Sequence, residues 1–228
     1  IELFIEGTNT TPRVGVESDS LTLSGNITTN TRDLDKVGAG TLILSGNNVH
    51  LDTRILGGTV VADSNTALGT GTVTVNGGNL SVADGRVISN TITFGVNGGS
   101  LGGTGVINSS VTLDNVNQIL APGNSPGTLF FATDQTWSAF TYNWEINNWN
   151  VNPGVNSDLI FIDGLLTLDG SGTYVLSIQS LDGSDQPGFL SNFVPGVEQS
   201  WIIASTDLGI QNFDASNWSV DVSGFLND

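Results

Sequence analysis

The sequence predicts an all-β protein whose chain coils into a parallel β-helix, a solenoid of stacked strands. Apolar and polar residues alternate, as at Val73–Val75 and Leu80–Val82, and a period of two is typical of strands with one buried face. Asn and Gly turns separate these runs. Glycine pairs recur about every 20 residues, a spacing in the solenoid range, at Gly57–Gly58, Gly77–Gly78 and Gly98–Gly99.

The repeats also predict which side chains face the interior. Leu21-Thr22-Leu23 recurs as Leu42-Ile43-Leu44 about 21 residues later, and coils stacked at this interval would place like residues above one another. Gly57, Gly77 and Gly98 are expected at equivalent corners of successive coils. The side chains expected to point inward are Leu42, Leu44, Val60, Val73, Val75, Leu80, Val82, Ile92, Phe94, Val111 and Leu113.

Residues 36–48, KVGAGTLILSGNN, resemble the autotransporter-associated β-strand repeat, and residues 57–62 with 67–71 resemble its second half. Residues 121–129, APGNSPGTL, are a further hallmark of such proteins, so the resemblance covers about 36–131. It implies a right-handed parallel β-helix, exported and displayed on or released from a bacterial surface. It implies no catalytic residues. The tail from Phe213 resembles exported cargo with a PEP-CTERM sorting signal, although the Pro-Glu-Pro motif is absent.

The N-terminal segment IELFIE has one wholly apolar face, formed by Ile1, Leu3 and Ile5. One interpretation is a first strand or cap, because the ends of a solenoid need covering. The alternative is a strand donated to the edge of a neighbouring subunit, in which case these three residues are the assembly residues. The loop-like residues 7–12 join the segment to the repeats.

Three regions are predicted: an N-terminal strand, cap or exchanged strand over 1–20, a repeat β-helix over 21–131, and a continuation and cap over 132–228. The last region is rich in aromatic residues, which we expect to fill a widened core or cap, since large rings dominate core energetics. An exposed platform for a sugar is the alternative. No helix of useful length is predicted. The aromatic residues concerned are Trp137, Phe140, Tyr142, Trp144 and Trp149.

Charge excludes several kinds of partner. The net charge is −17, and none of the five Lys and Arg residues follows Arg86. Nucleic-acid binding requires cations that neutralise phosphates, so it is excluded, and attraction to an anionic membrane is disfavoured. The sequence contains no run of about 18 apolar residues, the pattern that would predict a membrane span. The absence of Cys removes thiol chemistry.

The sequence offers little for catalysis. His50, the only histidine, follows a Gly/Asn turn and is expected at the surface. Asp33 and Asp35 are interpreted as a solvated turn, flanked by Arg32 and Lys36. No catalytic, cofactor-binding or metal residue is assigned, and the chain is expected not to be an enzyme. The other close carboxylate pairs are Asp158 with Asp163 and Asp182 with Asp185.

Calcium is the best cofactor candidate, because it prefers several oxygen ligands in a loop. Residues 182–185 and 169–172 have suitable side chains, but Asp-Gly turns explain both stretches without a metal. Calcium is therefore expected to be dispensable for folding.

Together these observations favour an exported structural protein of the bacterial cell surface or extracellular matrix. It would assemble with itself, as a homo-oligomer or polymer, through β-strand edges. An adhesin or passenger domain that binds surface glycans is one alternative, which exposed aromatics lining a groove would favour. A β-helix polysaccharide lyase or hydrolase is another, which convergent carboxylates beside Arg54 or Arg86 would favour.

Overall fold

The computed structural model of the chain is all-β, as predicted. It describes residues 12–150, 152–190 and 192–227 in full, together with the backbone of residues 2–4. Over these ranges the single helix is the 3-10 turn Ala215–Asn217, which Asp214 caps by accepting a hydrogen bond from the Ser216 N–H. The strands are β1 (Glu2–Phe4), β2 (Arg13–Gly15), β3 (Ser20–Leu23), β4 (Leu34–Val37), β5 (Thr41–Leu44), β6 (Thr53–Ile55), β7 (Thr59–Ala62), β8 (Val73–Val75), β9 (Asn79–Val82), β10 (Val87–Ile88), β11 (Ile92–Phe94), β12 (Gly99–Gly103), β13 (Val106–Ile107), β14 (Leu113–Pro122), β15 (Thr128–Phe131), β16 (Gln135–Ile146), β17 (Leu159–Ile162), β18 (Leu166–Leu168), β19 (Tyr174–Ser180), β20 (Ala204–Thr206), β21 (Ile210–Gln211) and β22 (Trp218–Gly224).

These strands form three sheets, named here A, B and C. Sheet A has the order β1-β2-β4-β6-β8-β11, and sheet C has the order β10-β13-β15-β17-β20. Sheet B has the order β21-β18-β16-β14-β12-β9-β7-β5-β3, and β19 and β22 extend it from β16. The β1–β2 pair is antiparallel. The strand pairs that build the rest of the sheets are parallel.

The register follows the sequence repeat. Leu21 pairs with Leu42, Leu42 with Val60, and Val60 with Leu80, so that each partner lies one repeat further along the chain. Thr59, Asn79 and Ser100 are likewise partners in successive strands. Gly57, Gly77 and Gly98 each lie two positions before one of these partners, so they occupy equivalent positions relative to the strand register. Gly77 and Gly98 have φ of +94° and +64°, which glycine adopts readily.

The predicted alternation of buried and exposed residues is confirmed. Of the eleven side chains expected inside, ten are at most 1% exposed, and Phe94 is partly buried against the same core. The five aromatic residues from Trp137 to Trp149 are also buried, with exposed fractions of 0–7%. They fill the core, as the favoured interpretation held, and none of the five is an exposed sugar platform.

The prediction that Asp33 and Asp35, flanked by Arg32 and Lys36, form a solvated turn is wrong for Asp35 and its neighbour Lys36. Both lie in β4, and both are buried. Lys36 occupies a core position, paired with Val14 on one side and Ile55 on the other. Its Nζ donates to the carbonyl oxygens of Val37, Gly38 and Gly57 at 2.8–3.1 Å. Backbone carbonyls therefore take the place of water around the ammonium group, although burial lowers the pKa of Lys36.

Asp35 is buried because two arginines cover it on sheet A. Its partners in the register are Arg13 on β2 and Arg54 on β6. The Arg54 Nε donates to Asp35 Oδ1 at 2.6 Å, and the Arg13 Nε lies 3.6 Å from Oδ2. The Asp35 side chain is 3% exposed. Its neighbour Asp33, which precedes β4, stays partly exposed.

The expectation that His50 lies at the surface is wrong, because its side chain is fully buried. The Thr53 hydroxyl donates to the Leu68 carbonyl at 2.9 Å, so its oxygen accepts from the His50 Nε2–H at 2.7 Å. This chain of donors assigns the Nε2–H tautomer. The Nδ1 atom is then a buried acceptor without a partner. Burial lowers the pKa of His50, against the opposing charge of Asp33.

Candidate functional site

Strands β20, β21 and β22 are the last strands of sheets C and B, and together they form what we call the open end. Each has a single partner among the described strands: β17 for β20, β18 for β21 and β19 for β22. Their outer edges are therefore open to another strand, although on β22 the Ser223 N–H already donates to Asp221 Oδ1 and the Val222 carbonyl already accepts from the Phe225 N–H. The longest edge belongs to β22, with seven residues.

Exposed large apolar side chains are concentrated in the last 40 residues, which include the open end. An exposed apolar patch bordering free strand edges is typical of a protein–protein contact. Val220 and Val222 on β22 are 59% and 58% exposed, and Leu208, just before β21, is 71% exposed. Other large apolar side chains exposed in the last 40 residues are Phe189, Val194, Val197, Ile202, Ile210, Phe213 and Leu226.

A cavity of about 290 Å³ lies inside the open end. Strands β16, β17 and β18 form its inner wall, and residues of β20, β21 and β22 complete it. The exposed side chains of Ile202, Ile210 and Phe213 contribute to the lining, so the cavity is continuous with the apolar surface. The three strands therefore belong to one site.

The charges around the open end are negative. Hydrogen bonds from Ser216 lower the pKa of Asp214, and those from Ser223 lower the pKa of Asp221. Both carboxylates are therefore ionised at neutral pH, and no Lys or Arg follows Arg86 in the sequence. A partner at this site has to be neutral or positively charged where it meets them.

The structure places the predicted assembly segment only in part. The backbone of β1 pairs antiparallel with β2 of the same chain, with Leu3 opposite Val14. This pairing fits the interpretation as a first strand of the chain's own sheet. Ile1 and Ile5 lie outside the described residues, and the side chain of Leu3 is not described. Donation of this strand to another subunit stays a prediction.

The close carboxylate pairs of the sequence, to which no site was assigned, have different surroundings in the structure. Asp158 and Asp163 flank the two ends of β17, and Asp163 is exposed. Asp182 Oδ1 accepts hydrogen bonds from the backbone N–H groups of Ser184 and Gln186, as in Asp-initiated turns. Across the described residues, no group of three or more His, Cys, Asp or Glu side chains is placed to hold a metal ion.

Asp158 forms a second arrangement that the sequence did not predict. Its Oδ1 accepts from the Gly127 N–H at 2.8 Å and its Oδ2 from the Glu145 N–H at 3.0 Å. Desolvation, reinforced by the charge of Glu145, raises the pKa of Asp158 to about 8. The Ser125 hydroxyl donates to Glu145 Oε2 at 2.6 Å beside it.

A carboxyl group of raised pKa beside a second carboxylate is typical of general acid catalysis. In this chain, however, both Asp158 oxygens accept backbone N–H groups, and the residue is 1% exposed. Its position favours a structural role, in which it joins the loop 123–127 to β16. The open end is therefore the stronger candidate for function.

No protein-family model matches the sequence, and no similar protein was found among curated proteins or solved structures. In the part of the chain that the structure describes, no helix has the length and apolar character needed to cross a membrane.

Proposed function

We propose that the chain is a right-handed parallel β-helix related to the autotransporter-associated β-strand repeats. In this proposal it is an exported structural subunit of a bacterial cell surface or extracellular matrix, and copies join through strand edges into a filament or layer. The pairing of strands one repeat apart, as from Leu42 to Val60 to Leu80, supports the coiled arrangement. Export and surface location depend on the resemblance of residues 36–131.

The observation that carries the assembly is the open end. Three strand edges lie beside exposed apolar side chains, and a flat apolar edge is a template for further pairing. A second copy of this chain is the occupant that we propose. A polypeptide strand can pair along an edge such as that of β22 with successive N–H and C=O groups, which a lipid or small molecule cannot do.

Charge supports a head-to-tail contact between copies. The cationic side chains that are at least partly exposed, Arg13, Arg32, Arg54 and Arg86, all lie in the first 86 residues, whereas Asp214 and Asp221 mark the open end. Arg13 belongs to β2, the second strand of sheet A, and its side chain is 54% exposed. Sheet A includes none of the strands of the open end. When copies join through two different surfaces of the molecule, each added copy leaves one surface free for the next. Unless the rotation between copies closes a ring, the product is a filament.

Lysine substitutions in the edge strand test this assembly. We expect Val220→Lys with Val222→Lys to prevent assembly, because charged lysines on an edge strand oppose pairing. The control is Val96→Lys with Val155→Lys, which adds the same charge at exposed turn positions outside strands β20, β21 and β22. Light scattering after size exclusion, over a range of protein concentrations, and negative-stain microscopy give the assembly state. Assembly of the edge variant to the same extent as the control, or a wild type that stays monomeric at high concentration, contradicts the proposal.

A further inference from the structure

The outer face of sheet B has two columns of outward residues without a charged side chain. They follow the strands β3, β5, β7, β9, β12, β14, β16 and β19, which pair in this order. Each strand contributes the register partner of Thr59 and the residue two positions further on, from Ser20 and Thr22 in β3 to Val175 and Ser177 in β19. None of these residues is Asp, Glu, Lys or Arg. We call them the neutral face.

The neutral face belongs to a strongly acidic chain, whose net charge is −17. On sheet A, by contrast, one register column contains Arg13, Asp35 and Arg54. Charged residues resume at the border of the neutral face, where Asp63, just after β7, pairs with Arg86 at 3.1 Å. Like charges brought together across an interface are unfavourable. The neutral face therefore allows a second acidic molecule to approach without opposing charge to like charge.

The two columns of the neutral face are complementary to themselves. In the first column, Asn79 Nδ2 donates to Thr59 Oγ1 at 3.4 Å and Ser100 Oγ donates to Asn79 Oδ1 at 2.8 Å. Because these groups already have partners, covering them leaves fewer polar groups unpaired. In the second column, Ile43 and Val61 present apolar side chains. A two-fold axis along the strands would place each column of one copy against the same column of another.

The size of the neutral face suits a contact that is repeated along a filament. Strand and residue spacings give it a length of about 34 Å and a width of about 14 Å, or roughly 500 Å². A stable interface buries about 800 Å² on each partner, so two single copies pair weakly. Copies already joined end to end present several such faces in a row, which strengthens binding without a new contact.

We propose that the neutral face packs against the same face of a second copy and thereby joins two filaments side by side. The joining of filaments rests on the proposed end-to-end assembly. The face-to-face contact itself involves neither β20, β21 nor β22, so it can be tested separately.

Cross-linking tests the face-to-face contact without filaments. The chain has no cysteine, and Ser81 is an outward residue of β9, near the middle of the neutral face. Ser81→Cys is made together with Val220→Lys and Val222→Lys, which are expected to prevent end-to-end assembly. With a short bismaleimide at high protein concentration, we expect covalent dimers at least about fivefold faster than for Ser89→Cys, because docking raises the effective concentration of the thiols. Ser89 lies outside the neutral face and is exposed, so random collisions favour the control.

Negative-stain microscopy of the assemblies tests whether this contact joins filaments. Ser81→Lys places a positive charge near its own copy across the proposed contact, and like charges there oppose pairing. We expect this variant to form separate single filaments, whereas the wild type and the control Ser89→Lys form paired filaments or layers. Thermal unfolding by circular dichroism identifies the variants that keep the fold.

The outcomes separate this inference from the proposed function. Equal cross-linking rates for Ser81→Cys and Ser89→Cys overturn the face-to-face contact, and the neutral face would then suit another neutral partner, such as a glycan. Wild-type filaments that stay single overturn the side-by-side joining, as does pairing that persists in folded Ser81→Lys. If the wild type forms no filaments but Ser81→Cys cross-links preferentially, the end-to-end assembly fails while the face-to-face contact stands.

Discussion

The Asp158 Oδ1 accepts a hydrogen bond from the Gly127 N–H at 2.8 Å across 31 residues of chain. Its other oxygen accepts from the Glu145 N–H, so that one buried carboxyl group joins the loop 123–127 to β16. Burial disfavours the charged form more than these two hydrogen bonds favour it, and the pKa rises to about 8. A structural contact between distant parts of the chain therefore depends on pH.

The free energy of unfolding should fall as the pH rises from about 4 to about 8 because of Asp158. In this range the unfolded chain has lost the proton and the folded chain keeps it. Asp158 therefore contributes its full stabilisation only below pH 3.8, its unfolded pKa. This contribution decreases as the pH rises and is lost once the pH passes about 8, the pKa in the folded chain. The slope is at most about 1.4 kcal/mol per pH unit. Urea unfolding at several pH values measures it.

Asp158→Asn is the matched variant for this pH dependence. It keeps an acceptor for the Gly127 N–H but places an amide N–H₂ against the Glu145 N–H, so we expect a loss of about 1–3 kcal/mol. Its stability should lack the slope seen in the wild type. An identical slope in both proteins would show that Asp158 does not titrate in this range.

His50 should act in the opposite direction. Because burial lowers its pKa, the stability that it contributes above the unfolded value of 6.5 is lost as the pH falls below that value. In His50→Gln, the side-chain amide can still donate to Thr53 but cannot titrate. We expect this variant to lose less stability than the wild type between pH 7 and pH 5. Urea unfolding at both pH values measures the difference, and equal losses would contradict the assignment.

Packing of the repeat strands predicts a large effect of Leu80→Ala. Leu80 is 1% exposed in β9 and pairs with Val60 and Leu101 in the neighbouring strands. Its truncation should lower the free energy of unfolding by about 2–4 kcal/mol. Val96→Ala is the control, because Val96 is 94% exposed, and it should change stability by less than about 0.5 kcal/mol. Equal effects of the two substitutions would mean that Leu80 is not a core residue.

The sequence predicted the parts of the fold that depend on local alternation. A period of two identifies the buried face of β8 or β9, and the glycine spacing identifies equivalent corners. It failed for Lys36, His50 and Asp35, because contacts with distant parts of the chain, such as that of Arg54 with Asp35, help to bury them. The Gly57 carbonyl that accepts from Lys36 and the Leu68 carbonyl that accepts from Thr53 beside His50 come from later in the chain. Residue type alone favours exposure at such positions.

The open end was predictable only in part, for a similar reason. Alternation in Ser219-Val220-Asp221-Val222 predicts a strand, but it does not reveal that β22 has a partner on one side only. Free edges are a property of sheet order, which no local pattern contains. The Asp158 contact was missed because Gly127 and Glu145 lie far from it in the sequence.

The N-terminal segment allows a final prediction about assembly. Deleting residues 1–7 should leave a folded monomer, because the core cluster formed by the described residues, which begins at Val14, does not include this segment. We expect the deleted protein not to polymerise, since the apolar face of Ile1, Leu3 and Ile5 would then be unavailable to a neighbouring copy. Replacing these three residues with threonine tests the same face while keeping β-propensity. Glu2→Gln with Glu6→Gln, on the opposite face of the segment, is the control.

Size exclusion with light scattering distinguishes the two interpretations of this strand. Loss of assembly in the deletion and in the threonine variant, but not in the glutamine variant, supports donation of the strand between copies. If all three proteins assemble like the wild type, β1 serves only its own sheet, as its antiparallel pairing with β2 allows. Assembly would then depend on other edges, and the lysine substitutions at Val220 and Val222 identify whether β22 is one of them.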